Sequence, residues 1–450
     1  MKGKELLMSL GMLLAGIFSA TAQERDDALA SAGMMNLTLE KAIEIALAEN
    51  PTIRVADKDI QLKKIADTEA WQALLPTVDA NLSMADNILV AEMVTGMGKF
   101  KMGVDGTVTA IGAATLSLPV FAPAVYQNMK LTKQDIKLAQ EKARGSRLDL
   151  INQVTKAYYG ALLSDDSYDV MKRSYDVAKE NYDVVNNKFQ VGSVSEYDKI
   201  SAEVQARNMN AAVVSAETGR KLALLRLKVL MGVTADVEIN ISDSLKAYED
   251  AILLFDGDYM GHELDNNSSL RQLDYNMALL ERSQKVLRTN FMPKVTVSLT
   301  GQYQSHANNN WNVFGYRYSP SSTLQIAVNV PIFHASSWTK IKSSKVQIAQ
   351  LEDTRINTRR QLAMSAESYS RNMASTVAQV ESNVEAVKQA RKAVDIAGKR
   401  YEVGRGTILE LNQSETALTQ AELTHVQSLY DYLTNLADLD YTLGRETYLK

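Results

Sequence analysis

The sequence predicts a mainly α chain of long helical hairpins, with four β-strands inserted in pairs. Three observations predict it: a heptad seam that stops at a glycine turn, an internal duplication, and prolines that bracket the only strictly alternating segments.

The seam lies within Tyr168–Asp198. Tyr168, Tyr175, Tyr182 and Phe189 recur every seven residues, with Met171, Ala178 and Val185 between them. That a/d pattern marks a helix packed as a coiled coil. It stops at Val191-Gly192-Ser193, and a new helical pattern starts at Ser195. Gly192 suits the left-handed residue that ends a helix, and Ser193 or Ser195 suits the cap of the next. The stretch therefore reads as the tip of a long hairpin.

The same plan occurs twice. Val403-Gly404 follows Val191-Gly192 by 212 residues, and the seam positions become Val380, Val387, Val394 and Tyr401. Glu203 maps to Glu415 and Gly232 to Gly444. Nearer the N-terminus the offset is 217, as in Asn50/Asn267, Asp57/Asp274 and Pro76/Pro293, so the first copy holds five extra residues between Pro76 and Pro119. The expected organisation is a signal peptide over 1–22, a mobile leader over 23–36, a first repeat over 37–232, a connecting segment over 233–266, a second repeat over 267–444 and a short tail over 445–450.

Taken in order, Lys2 and Lys4 precede an apolar run from Leu6 to Phe18 and then Ala20-Thr21-Ala22. This is the pattern of a secretory signal cut before Gln23, and the run is shorter than the roughly 20 residues of a membrane anchor. Nothing else is a candidate membrane helix, so the mature chain is either soluble outside the cytoplasm or a β-barrel. Thr38 stands at a cap position before a short helix that ends at Asn50-Pro51, and Pro51 starts a second helix towards Leu75.

Two segments in each copy then alternate every two residues. Val78, Leu82 and Met84 alternate with Asp79, Asn81 and Ser83, and a weaker series runs from Val108 to Leu118. Val295 to Tyr303 and Leu324 to Val330 repeat the pattern. Strands of roughly 9–12 residues with this dyad suit a membrane-spanning sheet, and equally a soluble antiparallel sheet with one wet face. Asn87–Gly106 and Ser305–Ser321 read as loops. No proline lies between Pro123 and Pro293, and none follows Pro331. Long helices are expected from Ala124 to Phe189 and from Ala335 to Tyr401, each about 100 Å at 1.5 Å per residue. Return helices are expected from Ser195 to Met231 and from Thr407 to Leu443, with a mixed layer between Ile239 and Asn266.

The composition excludes several functions. Net charge is −4, which implies no basic surface for nucleic acid, and there is no cysteine for a disulfide, thiolate site or lipid anchor. His262, His306, His334 and His425 lie far apart without metal spacing, and no phosphate loop or nucleophile elbow occurs. No catalytic, cofactor or metal residues are assigned, and the chain does not read as an enzyme. Asp165-Asp166 reads as a solvated helix face, and the seam tyrosines read as core packing.

These features together resemble the TolC-like outer-membrane efflux protein family. The residues that carry the resemblance are Leu37-Thr38-Leu39-Glu40-Lys41-Ala42-Ile43, Asn50-Pro51, Leu75-Pro76, Leu118-Pro119-Val120-Phe121, and the tips Phe189–Asp198 and Tyr401–Glu410. The resemblance implies a homotrimer with a twelve-stranded β-barrel in outer-membrane lipid and a periplasmic α-barrel. It also implies a passive exit duct joined through a periplasmic adaptor (membrane-fusion) protein to an inner-membrane transporter. Val191, Gly192, Ser193, Val403, Gly404 and Arg405 match the family's adaptor-docking turns. Asp198 and Tyr401 match a gate bond, and Glu410 and Gln413 match an inward acidic pair whose second member here cannot ionise. The family's tip arginine aligns with Gly406, beside Arg405. The other reading of the residues is a soluble periplasmic coiled-coil scaffold or adaptor.

Overall fold

A computed structural model describes residues 35–445 except 97, 102, 242, 255–262 and 309. The expected signal peptide, nearly all of the leader, His262 and most of the tail lie outside those residues. Met35 and Asn36, expected in the leader, instead belong to a strand, β1 (Met35–Leu37), paired in parallel with β6 (Ile239–Ile241).

The first copy continues with α1 (Leu39–Glu49), α2 (Pro51–Gln72), β2 (Thr77–Asn87), β3 (Glu92–Thr95), β4 (Gly98–Lys101) and β5 (Thr107–Phe121). Next come the 68-residue α3 (Pro123–Gln190) and the 36-residue α4 (Glu196–Met231). After β6 and the short α5 (Glu249–Leu253), the second copy runs through α6 (Ser268–Arg288), β7 (Lys294–Asn308), β8 (Ser319–Asn329), the 68-residue α7 (Ala335–Glu402) and the 36-residue α8 (Ile408–Leu443). Both expected hairpins are present with equal arm lengths. No described helix is long and apolar enough to cross a membrane.

The chain divides into two compact units that cut across the two copies. One comprises the described residues up to Asp57, Lys142–Arg271, and those from Asn357 onward. Its core joins Leu37 and Ile43 to Tyr158 and Leu162 of α3, Leu227 and Met231 of α4, and Leu429 and Leu439 of α8. The heptad reading holds in part: of the named seam residues Ala178 and Val185 on α3 and Val380 on α7 are buried, while Tyr168, Met171, Tyr175, Tyr182, Phe189, Val387, Val394 and Tyr401 are half-buried. Asp165 and Asp166 are not a solvated face. Asp165 pairs with Arg220 of α4 at 2.6 Å. Asp166 accepts bonds from the Ser244 hydroxyl and the Leu245 amide. Carboxylates are drawn in because the backbone N–H groups at the start of a 3-10 turn need acceptors.

The base of each hairpin is closed by the same device in both copies. Gly232 and Gly444 end α4 and α8 at φ 73° and 68°. A side chain at Gly232 would meet the Glu49 carbonyl at 2.9 Å, and one at Gly444 would meet the Asn266 oxygen at 2.3 Å. Asn50 donates to the Leu230 carbonyl (2.7 Å), and its oxygen accepts from the Thr52 amide (2.8 Å). Asn267 repeats this with Thr442 (2.7 Å) and Leu270 (3.1 Å). Each asparagine caps one helix and binds the end of another, which explains why both residues recur at the repeat offsets.

The second unit comprises Lys58–Glu141 and Gln272–Ile356. It holds a four-stranded antiparallel sheet in the order β2-β5-β7-β8. The register places Val78, Leu116, Leu299 and Leu324 in one row across all four strands. Alternation then puts Leu82, Tyr303 and Ile326 on the same face, with Asn81, Thr115, Thr300 and Gln325 on the other. On that second face Thr115 and Thr300 share a hydrogen bond at 3.1 Å. The apolar face is bare, with Leu82 91% and Leu324 69% exposed. Two strands are longer than expected: β5 and β7 each have 15 residues. The stretch expected as a loop over Asn87–Gly106 contains the β3–β4 hairpin, whose Glu92–Thr95 segment is too short to show a period.

Candidate gate and docking tips

The two tips are built alike from local rules. At the first, Gly192 has φ 75°, the Ser193 amide bonds the Lys188 carbonyl at 2.8 Å, and the Gly192 amide bonds Phe189 at 2.9 Å. At the second, Gly404 has φ 74°, with Arg405 to Arg400 at 2.8 Å and Gly404 to Tyr401 at 3.1 Å. These are Schellman endings, in which a left-handed residue satisfies the last helical carbonyls. A Cβ at either glycine would meet nothing within 4 Å, so backbone conformation alone selects glycine there. Val191 and Val403 beside them are 78% and 68% exposed.

Capping then starts the return helices. Ser195, not Ser193, is the cap of α4. Its hydroxyl accepts the Asp198 amide at 3.1 Å, while the Asp198 carboxylate accepts the Ser195 amide at 3.2 Å and the Ser195 hydroxyl at 2.8 Å. Thr407 caps α8 by accepting the Glu410 amide at 3.2 Å.

Between the tips a small core gathers Val185, Ala202, Ala397, Ile408 and Leu411, with Tyr182, Val194 and Tyr401 packed on it. The Tyr401 hydroxyl oxygen is enclosed there with no hydrogen-bond partner among the described residues. Burial, and then the nearby Asp198 carboxylate, push the Tyr401 phenol up. The chain thus brings Asp198 and Tyr401 into one neighbourhood but does not bond them, because the Asp198 carboxylate is held by its capping box. The Lys188 ammonium lies 5.1 Å from the Tyr401 ring centre.

Glu410 and Gln413 face different surroundings. Glu410 lies 3.6 Å from the Arg400 guanidinium, which also donates to the Arg405 carbonyl at 3.2 Å. Arg400 was not singled out by sequence reasoning, although it stands ten residues before Glu410. A side chain at Gly406 would approach the Arg400 Cβ at 3.1 Å. Gln413 instead lines a groove of about 470 Å3 between α4 and α8, with Tyr197, Ile200, Val204 and Leu409.

Below this groove the hairpins are joined by polar contacts. Asn412 donates to the Ser201 hydroxyl at 3.5 Å, Gln205 donates to Thr416 at 3.3 Å, and Ser174 and Thr419 share a bond at 2.7 Å. Asn181 donates to Glu415. Burial pushes the Glu415 carboxyl up to about 7, against the lowering effect of the Asn181 bond. Glu422 takes Arg391 at 2.8 Å and Arg173 at 3.5 Å, linking α8 to both α7 and α3. None of the described His, Asp and Glu residues cluster in a way that could hold a metal ion.

Comparison with known proteins follows from this geometry. The "Outer membrane efflux protein" family model matches residues 42–233 and 260–445. The alkaline protease secretion protein AprF of Pseudomonas aeruginosa is 23% identical over 97% of this chain and 89% of its own length. The outer membrane protein TolC of Salmonella enteritidis is 22% identical over 99% of this chain and 87% of its own. The crystal structure of the Campylobacter jejuni CmeC outer membrane channel superposes with a TM-score of 0.70 at 17% identity, covering 90% of this chain and 85% of that one.

Proposed function

The chain belongs to the outer membrane efflux protein family, and from that premise we propose that it is the passive exit duct of a tripartite efflux or secretion system. It is an outer-membrane channel protein and not an enzyme, which sets aside the soluble scaffold reading. The observation that carries the proposal is the four-stranded sheet, apolar on one face and polar on the other, with β2 and β8 each paired on one side only among the described residues. Open strand edges are not tolerated in lipid, where unpaired N–H and C=O groups have no water to meet. Pairing β2 of one copy with β8 of the next satisfies them. Three copies then make a twelve-stranded barrel with the leucine rows towards lipid and the threonine rows towards a wet lumen.

In this reading an inner-membrane transporter supplies the energy and a periplasmic adaptor couples it to the duct. Val191, Gly192, Ser193, Val403, Gly404 and Arg405 are the docking turns, because they are the helix-free ends of both hairpins and carry exposed valines. Tyr401 and Asp198 form the gate with a neighbouring copy, where the unpartnered Tyr401 hydroxyl finds its acceptor. Glu410 and Gln413 line the approach, with half the charge of an acidic pair. Opening is a two-state rearrangement of the tips biased by adaptor contacts.

Reconstitution into planar bilayers tests the duct. Discrete conductance steps are expected from protein recovered with the outer membrane. Absence of steps at any voltage from such protein contradicts conduction.

A further inference from the structure

The charge pattern of the second copy breaks with the rest of the chain. From Arg282 to Leu351 there is no aspartate or glutamate, while there are eight lysines and arginines, in a chain of net charge −4. The corresponding stretch of the first copy is mixed and includes Asp67, Glu69 and Asp135. There Lys63 of α2 pairs with Asp135 of α3 at 2.8 Å. The second copy has no such acid to pair with.

The fold gathers these cations where the helices meet the sheet. Lys285 and Arg288 stand on the last turn of α6, directly before the strand-side turn Thr289–Phe291. With Lys345 of α7 they line a groove of about 310 Å3 that also includes Glu281, Gln284 and Ile348. Lys285, Arg288, Lys342 and Lys345 are exposed. Among the described residues none of the four has an ion-pair partner; Arg288 donates to the Gln284 side chain at 3.2 Å. Glu281 is the single carboxylate in the groove.

An aromatic pair marks the strand side of this groove. Phe291 packs on Trp338 with ring centres 5.0 Å apart. Trp338 is 58% exposed, and Ile332 and Phe333 just before it are 95% and 78% exposed. Trp338, Lys342 and Lys345 follow i, i+4, i+7 spacing, so they share one stripe of α7. Exposed aromatic rings that flank an apolar sheet face sit at headgroup level. Lys345 lies about 10 Å further along the helix, within reach of the phosphate layer for a long side chain.

We propose that the α6–α7 groove lined by Lys285, Arg288 and Lys345 binds the phosphate of an anionic phospholipid in the periplasmic leaflet, with the Phe291–Trp338 pair against its acyl chains. Arg288 offers the planar fork that matches phosphate oxygens, and the two lysines act as point charges. The site repeats once per chain, on the second copy only. The inference rests on the outer-membrane reading of the sheet.

The test uses the full chain, extracted from the outer membrane and placed in nanodiscs of equal phosphatidylglycerol and phosphatidylethanolamine. Lipid retained after detergent exchange is counted by mass spectrometry. The native chain is expected to retain phosphatidylglycerol by roughly ten-fold or more over phosphatidylethanolamine, since each cation at a membrane surface adds about a five-fold preference. Lys285→Gln with Arg288→Gln and Lys345→Gln is expected to bring the ratio near one, while Lys130→Gln with Lys133→Gln in the first copy leaves it unchanged. Equal retention by the native chain, or no loss in the triple variant, overturns the inference. Displacement of the lipid by millimolar glycerol phosphate overturns it too, because the site would then serve a soluble anion. Recovery in the soluble periplasmic fraction would remove the outer-membrane reading itself. Recovery in the membrane without lipid preference removes only this inference.

Discussion

Asn181 on α3 donates its side-chain amide to the Glu415 carboxylate on α8, one of several polar contacts between the two hairpins of a single chain. The repeat-related acid, Glu203, does something else: it pairs with Arg207 along the surface of α4 at 2.8 Å. Duplication supplied two carboxylates, and packing has since buried one of them.

That burial predicts a pH dependence. The Glu415 carboxyl is raised from 4.5 to about 7 by desolvation. In the unfolded chain it ionises near its ordinary value, so between the two values the native state holds more protons than the unfolded state. Stability therefore falls as pH rises across that window and levels off above about 7. A shift of this size corresponds to at most roughly 3 kcal/mol, and less for a group that keeps some solvent contact. Thermal unfolding in detergent between pH 5 and pH 8 checks it. The parent should lose stability with rising pH, and Glu415→Gln should show a flatter profile. An unchanged slope in the variant would place the titration elsewhere.

The glycines separate backbone conformation from close approach. Gly192→Pro and Gly404→Pro cannot hold φ near 75° and are expected to abolish transport while outer-membrane assembly survives. Gly192→Ala has room for its methyl and should cost only about 1 kcal/mol. Gly444→Ala drives its Cβ into the Asn266 carbonyl and is expected to lower the yield of folded protein. Transport activity at matched protein level, with thermal unfolding of each variant, reads the contrast. Normal transport in Gly192→Pro would remove the docking role of the tip.

Tyr401 tests the gate. Among the described residues of one chain its hydroxyl is enclosed and unbonded, so Tyr401→Phe should be neutral or mildly stabilising if no partner chain bonds it. If Asp198 of a neighbouring copy accepts that hydroxyl, each bond contributes about 1.5–3 kcal/mol, and Asp198→Ala with Tyr401→Phe makes the closed channel leak. Single-channel conductance at low voltage distinguishes these outcomes. Parent-like conductance in the double variant, with altered cation selectivity in Glu410→Gln, would leave the acidic ring but not the gate bond.

The helices and their turns were legible because each rests on local chemistry. Thr38, Ser195 and Thr407 cap where cap residues stand, and the glycines at 192, 232, 404 and 444 end helices at positive φ. The heptads named a seam of which Ala178, Val185 and Val380 are fully buried and the aromatic positions half-buried. Long-range placement was less legible. Nothing local in Asp165-Asp166 says that Arg220 and Ser244 will meet it. Glu415 looks like any helical glutamate until α3 packs over it. The contacts of Arg400 with Glu410 and the Arg405 carbonyl form only once the turn around Gly404 closes. The Asn50 and Asn267 offsets were visible as a repeat, but their double bonding needed the fold.

The most direct test of the account concerns the sheet edges. The chain has no cysteine, so cysteines introduced at Asn81 of β2 and Gln325 of β8 are the only thiols present. They lie on one face of opposite edge strands and cannot meet within a chain, because β5 and β7 stand between them. A short bifunctional thiol cross-linker applied to outer membranes should give a ladder on denaturing gels that stops at three chains, with neither single variant progressing past two. A chain that stays monomeric under these conditions, or a ladder that runs beyond three, would contradict the closed three-copy barrel.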